Sequence, residues 1–344
     1  MVQASQQKVT VWEGITPDNI PFDELFALDK PVILKGLVKD WPLVKTGQQG
    51  ILPAMQMLED NYSQKPMLVY RAPASIKGRF GYNDNYTGFN FAAERSTIPN
   101  VLDIIRNELD KEEHEYLYVN SLILNEGFPA LAASHSLAFN HPEFEQNQVL
   151  AKIWIGTESL AACHFDQPKN LACCVLGKRR FTLFPPDQIE NLYPGPLHPT
   201  PGGQVVTIAN LAEPDFEKFP RLKTALENAW IADLEPGDGL YYPSMWWHEV
   251  TAFERFNIMV NFWWMTTERY KGNPMDVLLN GMMSLRDKPE DEKRAWKALF
   301  DYYVFGEGEV VREHLPPECQ GALGEMTEIN ARRLRAMLIS NLNR

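Results

Sequence analysis

The sequence predicts a mainly β protein with flanking helices, and three patterns along the chain indicate this class. Residues from about 152 to 264 form short alternating runs separated by Pro and Gly turns, which is typical of a β-sandwich or β-barrel. The part before them mixes short strands and helices, and the part after residue 266 has apolar residues at helical spacing. We therefore expect one domain over residues 1–265, with an N-terminal α/β elaboration, and a C-terminal helical segment over residues 266–344.

Two elements are expected early in the N-terminal part, and a third leads towards the central strands. Residues 31–36, PVILKG, have the composition of a buried strand. A helix begins near 97–99, because Pro99 suits its first turn and apolar residues follow at helical spacing. Residues 115–121 alternate as a strand, and one face of it presents Tyr116, Tyr118 and Asn120.

The central region contains six runs with strand character: AKIWIG, LACCVLG, RRFTLF, QVVTI, GLYY and FNIMVNFWW. In RRFTLF, alternation places Arg179 on the same inward face as Phe181 and Leu183. Cys173 and Cys174 are adjacent in a strand, so their side chains point to opposite faces. We expect both to pack in the core rather than to chelate a metal together.

The C-terminal segment has two apolar stripes at helical spacing. Asn273 and Pro274 have the pattern of a helix cap and first turn. One stripe comprises Ala295, Trp296, Leu299, Phe300 and Tyr303, and the other comprises Leu334, Leu338 and Leu342. Two interpretations stay open from these residues alone: packing within one chain, and an interface shared by two copies.

The composition is that of a globular chain. Its 344 residues are 44% hydrophobic, enough for one large domain with an appendage or for two domains. A net charge of −12 makes nucleic acid a poor partner, because an acidic surface repels phosphate. No apolar run approaches the ~20 residues of a membrane span, and the first residues, MVQASQQKVTVWEG, lack the basic-then-apolar pattern of a secretion signal. Four cysteines are too few for a disulfide framework, so we expect a cytoplasmic protein without a membrane partner.

The residues with metal chemistry are His164 and Asp166, two positions apart, and His248 further along the chain. In a strand, residues i and i+2 point to the same face, so His164 and Asp166 can converge on one ion. Two imidazoles and one carboxylate form the facial set of non-haem ferrous oxygenases, which leaves coordination positions open. A His-x-Asp match alone is weak, because such short patterns arise by chance. Its place among strands strengthens it.

Longer motifs resemble a known family. HFDQPKN, GKRRFTLFPP, PGDGLYYPSMWWHEV and VNFWW occur in this order, and they are similar to motifs of the JmjC/cupin-like Fe(II)/2-oxoglutarate-dependent oxygenases. That family includes the asparaginyl hydroxylase of hypoxia-inducible factor and bacterial cupin-like proteins. The resemblance is strongest over residues 118–264. It implies a double-stranded β-helix (jelly roll). Because a member of the family dimerises through its C-terminal helices, the resemblance also implies a homodimer built by the C-terminal helices.

The resemblance also implies roles for individual residues. The positions that match the iron ligands are His164, Asp166 and His248. The positions that match contacts of the 2-oxoglutarate cosubstrate or line its pocket are Tyr118, Asn170, Arg179 and Asn261. The positions on the substrate side are Asn120 and Trp263.

Two positions depart from the family pattern. The lysine that usually binds the distal carboxylate of 2-oxoglutarate is replaced by Arg179, and the usual threonine before the His-x-Asp strand is replaced by Ala161. Arginine pairs with a carboxylate in a forked geometry that lysine cannot form. We therefore keep 2-oxoglutarate as the expected cosubstrate.

The expected function is hydroxylation of a protein side chain or a small molecule, with Fe(II) as metal and decarboxylation of 2-oxoglutarate to succinate. The alternative is a non-catalytic cupin-fold module that binds metal as a sensor. The complete ligand set favours the enzyme. The sequence does not identify the acceptor atom of the primary substrate.

Overall fold

The computed structural model describes residues 7–145 and 147–343. The chain divides after Thr266 into two compact units. The first unit contains the strands, and the second consists of helices and turns. Within the described residues, no helix is both long enough and apolar enough to cross a bilayer.

The strands of the first unit are β1 (Gln7–Lys8), β2 (Thr10–Trp12), β3 (Val32–Leu34), β4 (Met67–Ala72), β5 (Arg79–Phe80), β6 (Ala92–Ser96), β7 (Tyr116–Ile123), β8 (Leu150–Gly156), β9 (Ser159–Phe165), β10 (Lys169–Leu176), β11 (Arg179–Phe184), β12 (Trp230–Leu234), β13 (Gly239–Tyr242), β14 (Trp247–Ala252) and β15 (Asn257–Trp264).

The helices are α1 (Phe22–Leu28), α2 (Pro42–Gly47), α3 (Ile51–Asn61), α4 (Ile98–Glu108), α5 (Leu124–Gly127), α6 (Pro129–Ser134) and α7 (Leu222–Glu227) in the first unit, and α8 (Pro274–Leu285), α9 (Glu290–Tyr303) and α10 (Glu328–Leu342) in the second. Side-chain hydrogen bonds cap the N-termini of two of these helices. The Asn273 side chain accepts from the Met275 amide at α8, and the Thr327 hydroxyl accepts from the Asn330 amide at α10.

The strands form two sheets. One has the order β1-β12-β11-β14-β9-β5, and the other has the order β2-β3-β13-β10-β15-β8-β7-β4-β6. From β8 onward, successive strands alternate between the two sheets, apart from the consecutive pair β11 and β12. This alternation closes a jelly roll, which confirms the expected mainly β fold with flanking helices.

Three apolar clusters fill the space around the sheets. The inner cluster lies between them and includes Cys174 and Phe181. A second cluster packs helices α1 to α6 on the outer face of the nine-stranded sheet and includes Cys173. A third covers the outer face of the six-stranded sheet with residues from the long β11–β12 connection. Cys173 and Cys174 thus face opposite sides, as predicted, and both are buried.

One predicted strand is wrong. The run QVVTI has no strand, and its described backbone pairing is limited to single bridges of Val206 with His164 and of Thr207 with Pro194. The physical reason is packing. Val205 is buried in the outer cluster, so apolar β-branched residues here serve burial on a loop rather than a ladder of hydrogen bonds.

A candidate metal centre in the jelly roll

The sheet register brings the two histidines together. His164 of β9 and His248 of β14 are direct antiparallel partners, so their side chains lie on the same face, with ring centres 4.3 Å apart. Asp166 follows the last residue of β9, and its Oδ2 lies 3.6 Å from Nε2 of His248. One possible ligand atom from each residue lies within 4.8 Å of the others.

A bulge in β9 positions this pair. His248 pairs with His164, yet Val250 pairs with Ala161, so β9 contains one more residue than β14 over this stretch. An extra residue bends a strand and changes which side chains point inward. As a result Ala161, Ala162 and His164 all line the same cavity.

Backbone contacts set the tautomer of both imidazoles. Nδ1 of His164 lies 2.8 Å from the Ala162 carbonyl oxygen, and Nδ1 of His248 lies 3.0 Å from that of Trp246. A carbonyl oxygen only accepts, so each Nδ1 donates its proton to it. Each Nε2 then keeps its lone pair, the form that binds a metal ion.

A chain of amides holds the carboxylate. Trp154 Nε1 donates to Asn261 Oδ1 at 2.7 Å, Asn261 Nδ2 donates to Asn170 Oδ1 at 3.3 Å, and Asn170 Nδ2 donates to Asp166 Oδ2 at 3.4 Å. Burial raises the pKa of Asp166, while nearby His164 and Lys152 and the bond from Asn170 lower it. Burial outweighs these effects, so the pKa of Asp166 lies above its usual range. The chain orients Asp166, and the bond from Asn170 opposes its protonation.

We expect Asn170→Ala to weaken Fe(II) binding by roughly 10–100-fold, the usual effect of removing an outer partner of a metal ligand. Calorimetric metal titration measures it. Asn120→Ala is the matched control, because Asn120 lines the same cavity but donates to the Tyr70 hydroxyl instead. Equal affinities of the two variants would contradict a role of the amide chain in holding Asp166.

The candidate metal centre opens into a cavity of about 120 Å³. The predicted site residues that line it are His164, Asp166, His248, Tyr118, Asn120, Asn261 and Trp263. Asn170 and Arg179 are not among the lining residues, and both are buried. Other residues that line the cavity were not predicted from the sequence, among them Tyr70, Phe91, Trp154 and Tyr242.

Arg179 is a buried cation without a counter-ion. Its side chain points inward from β11, it is 3% exposed, and its Nε has no hydrogen-bond partner. Within the described part of the chain it forms no ion pair with a carboxylate. Burial lowers its pKa, and the charge interaction with Arg179 lowers the pKa of Tyr118, which burial raises. The guanidinium and the phenol thus lie near each other in the interior and favour an anion there.

A further cation was also missed, Lys152 of β8. Its register partner in β15 is Asn261, so the two side chains share the inward face. The run AKIWIG could have indicated the inward position of Lys152, because strand alternation puts Lys152 and Trp154 on one face.

With the geometry established, the chain can be compared with known proteins. A family model described as "Cupin-like domain" matches residues 17–270, which include all three candidate ligands. The chain belongs to the cupin-like family. This assignment agrees with the jelly roll and with the inward position of the ligand set.

The chain is also similar to parts of several curated proteins. "Lysine-specific demethylase JMJ31" of Arabidopsis thaliana is 30% identical over 128 residues, covering 36% of this chain and 23% of that protein. "HSPB1-associated protein 1" of Homo sapiens is 31% identical over 150 residues, covering 42% and 30%. "Jumonji C domain-containing protein 5" of Drosophila melanogaster is 29% identical over 251 residues, covering 70% and 55%. The chain thus spans less than a third of the first two relatives.

Proposed function

We propose that this cupin-like protein is an Fe(II)- and 2-oxoglutarate-dependent oxygenase that hydroxylates a protein side chain or a small molecule. The observation that supports it most is the ligand set: one nitrogen from each of two imidazoles and one carboxylate converge inside the jelly roll. This donor set suits ferrous iron and leaves positions open for a cosubstrate. Bound iron would couple the reduction of O₂ to the decarboxylation of 2-oxoglutarate to succinate.

The unpaired interior cation fits the cosubstrate. Arg179 would hold the distal carboxylate of 2-oxoglutarate, since a buried guanidinium whose Nε has no hydrogen-bond partner is stabilised by an anion. Tyr118 would donate its hydroxyl to the same group, because its raised pKa keeps it protonated. Aromatic walls that include Phe80 and Trp154 limit the access of water to the centre.

The primary substrate is proposed to be a protein side chain or a small molecule. One relative is named a lysine-specific demethylase and another is named for its association with HSPB1, which supports a protein substrate. The net charge of −12 disfavours nucleic acid.

The test is anaerobic loading with Fe(II), followed by addition of O₂, 2-oxoglutarate and cell extract. We expect succinate to form and mass spectrometry to find a product that has gained one oxygen atom. The Asp166→Asn variant is the control without activity. Binding of metal and 2-oxoglutarate without succinate would contradict the oxygenase and support the non-catalytic sensor instead.

The proposal places the protein in the cytoplasm. All four cysteines are free thiols, and a reducing compartment keeps thiols and ferrous iron reduced. Fractionation of source cells, followed by detection of the native protein, tests this location.

We also propose a homodimer formed by the second unit. Considered by itself, this unit exposes many large apolar side chains, and such patches mark interaction sites. The exposed residues include Leu278, Met283, Trp296, Leu299, Phe305, Leu338 and Ile339. We expect light scattering at micromolar concentration to give twice the chain mass of 39.4 kDa.

The double variant Leu299→Glu/Leu338→Glu should shift the protein to the monomer mass, because buried carboxylates without partners are costly. Leu52→Glu is the matched control, because Leu52 is a comparably exposed leucine on α3 of the first unit. A wild-type mass of one chain would exclude the homodimer.

A further inference from the structure

Lys152 is a half-buried cation that the proposed reaction does not use. It faces inward opposite Asn261, which lines the metal cavity. Its Nζ donates to Ser121 Oγ at 2.6 Å and lies 4.0 Å from the ring centre of Trp263. Both contacts suit an ammonium ion, because an aromatic face attracts a cation.

The backbone of β7 is arranged around this contact. Ser121 has a φ of 57°, in the left-handed region that non-glycine residues rarely adopt. The β7–β8 register also shifts between Val119 and Leu122. Such backbone geometry costs free energy and is often kept at binding sites. Here the bulge brings the Ser121 hydroxyl to Lys152.

Lys152 lacks the carboxylate partner that a comparable lysine has. Lys169 lies 3.8 Å from the ring centre of Phe26, and it also pairs with Glu143 at 2.9 Å. Lys152 is half-buried, and within the described residues it forms no ion pair with a carboxylate. Burial lowers its pKa, and the charge of Asp166 raises it. A half-buried ammonium without a carboxylate partner favours binding of an anion.

The charges of the site indicate which anion fits. The double positive charge of bound Fe(II) and the single charge of Arg179 would be balanced by Asp166 and by the two carboxylates of 2-oxoglutarate. Lys152 then leaves one positive charge in the interior. One carboxylate neutralises it, whereas a phosphate dianion would leave an excess negative charge in a poorly solvated cavity.

Although its register partner Asn261 is assigned to the cosubstrate pocket, Lys152 makes its side-chain contacts on the substrate side. Its hydroxyl partner Ser121 is adjacent to Asn120, and its aromatic partner is Trp263. Asn120 and Trp263 both line the cavity, and both belong to the part expected to face the primary substrate. Arg179 and Tyr118 form a different pair, linked by their charge interaction.

We propose that Lys152 binds a carboxylate of the primary substrate, so that the site selects substrates with an acidic group. This inference rests on the proposed oxygenase function. The acid can belong to a peptide side chain or to a free small molecule, since both present the same group.

The test uses Zn(II)-loaded protein saturated with 2-oxoglutarate, which binds without turnover. The probes are acetate and its neutral counterpart acetamide, and the readout is the NMR signal of the Trp263 indole N–H, assigned with Trp263→Phe. This N–H is buried without a hydrogen-bond partner, so its resonance reports directly on the ring beside Lys152. We expect a saturable shift with acetate and none with acetamide.

In Lys152→Met, acetate affinity should fall roughly ten- to a hundredfold, the loss of one charge-assisted hydrogen bond. Lys30→Met is the matched control, since Lys30 lies 5.9 Å from the Trp230 ring centre on an exposed part of the chain. Unchanged acetate binding by Lys152→Met, or equal shifts with acetamide, overturns the inference.

Two further experiments are needed. One distinguishes a peptide carboxylate from a free acid, and the other distinguishes the role of Lys152 from the proposed oxygenase function. Capped peptides Ala-Glu-Ala and Ala-Gln-Ala replace the small probes: tighter binding of the acidic peptide than of acetate indicates a peptide substrate, and weaker binding indicates a free acid. Both results support a substrate carboxylate.

Loss of 2-oxoglutarate binding in Lys152→Met but not in Arg179→Met would show that Lys152 anchors the cosubstrate, which overturns the inference. Failure of the wild type to bind 2-oxoglutarate contradicts the proposed function, and acetate binding to the metal-loaded protein is then measured alone.

Discussion

Fe(II) binding at one ion per chain is expected to be lost when His164, Asp166 or His248 is replaced by alanine. The three donors lie within 4.8 Å of one another, and removal of one leaves two ligands. The loss should exceed the roughly 10–100-fold expected for a residue that only supports a ligand. Calorimetric titration under anaerobic conditions measures stoichiometry and affinity together.

Folding and specificity need their own controls in this experiment. Asp166→Asn keeps the side-chain volume and removes the charge, so it separates metal binding from packing. His314→Ala removes an exposed histidine of the second unit and should bind metal as the wild type does. If the three alanine variants keep the affinity and stoichiometry of the wild type, the metal centre is assigned to the wrong residues.

Arg179→Met should raise the dissociation constant for 2-oxoglutarate by roughly thirty- to a thousandfold, or about 2–4 kcal/mol, while metal binding stays intact. The guanidinium is 3% exposed and has no carboxylate partner in the described chain. A distal carboxylate without this cation would be buried uncompensated. Titration of 2-oxoglutarate into the metal-loaded protein measures the change.

Two variants sharpen the assignment of Arg179. Arg179→Lys should recover part of the affinity, because lysine restores the charge but not the forked geometry. Arg180→Met is the matched control, because Arg180 is exposed and pairs with Asp233 at 2.6 Å. If Arg179→Met binds 2-oxoglutarate as tightly as the wild type, the carboxylate is held elsewhere, and Lys152 is then the first cation to examine.

Much of the centre was predictable because its signals are local. The two-residue spacing of His164 and Asp166 and the alternation of RRFTLF are read within one strand, where the period of two is set by backbone geometry. The long ordered motifs added His248 and the amides. Burial of the adjacent cysteines on opposite faces followed from the same period.

Other features depend on how distant strands meet. The run QVVTI shows the limit, because β-branched residues fit both a strand and a buried loop. Likewise, the chain of hydrogen bonds from Trp154 through Asn261 and Asn170 joins strands β8, β15 and β10. No spacing within one segment indicates that these side chains touch.

The sequence by itself determined the fold class, the residue types of the metal set and the inward direction of Arg179. The tertiary structure alone decided the register of His164 opposite His248, the β9 bulge, and the place of Lys152 between Ser121 and Trp263. The physical reason is that the direction of a side chain follows from its own strand. The residues that the side chain contacts are decided by pairing and packing between segments far apart in the chain.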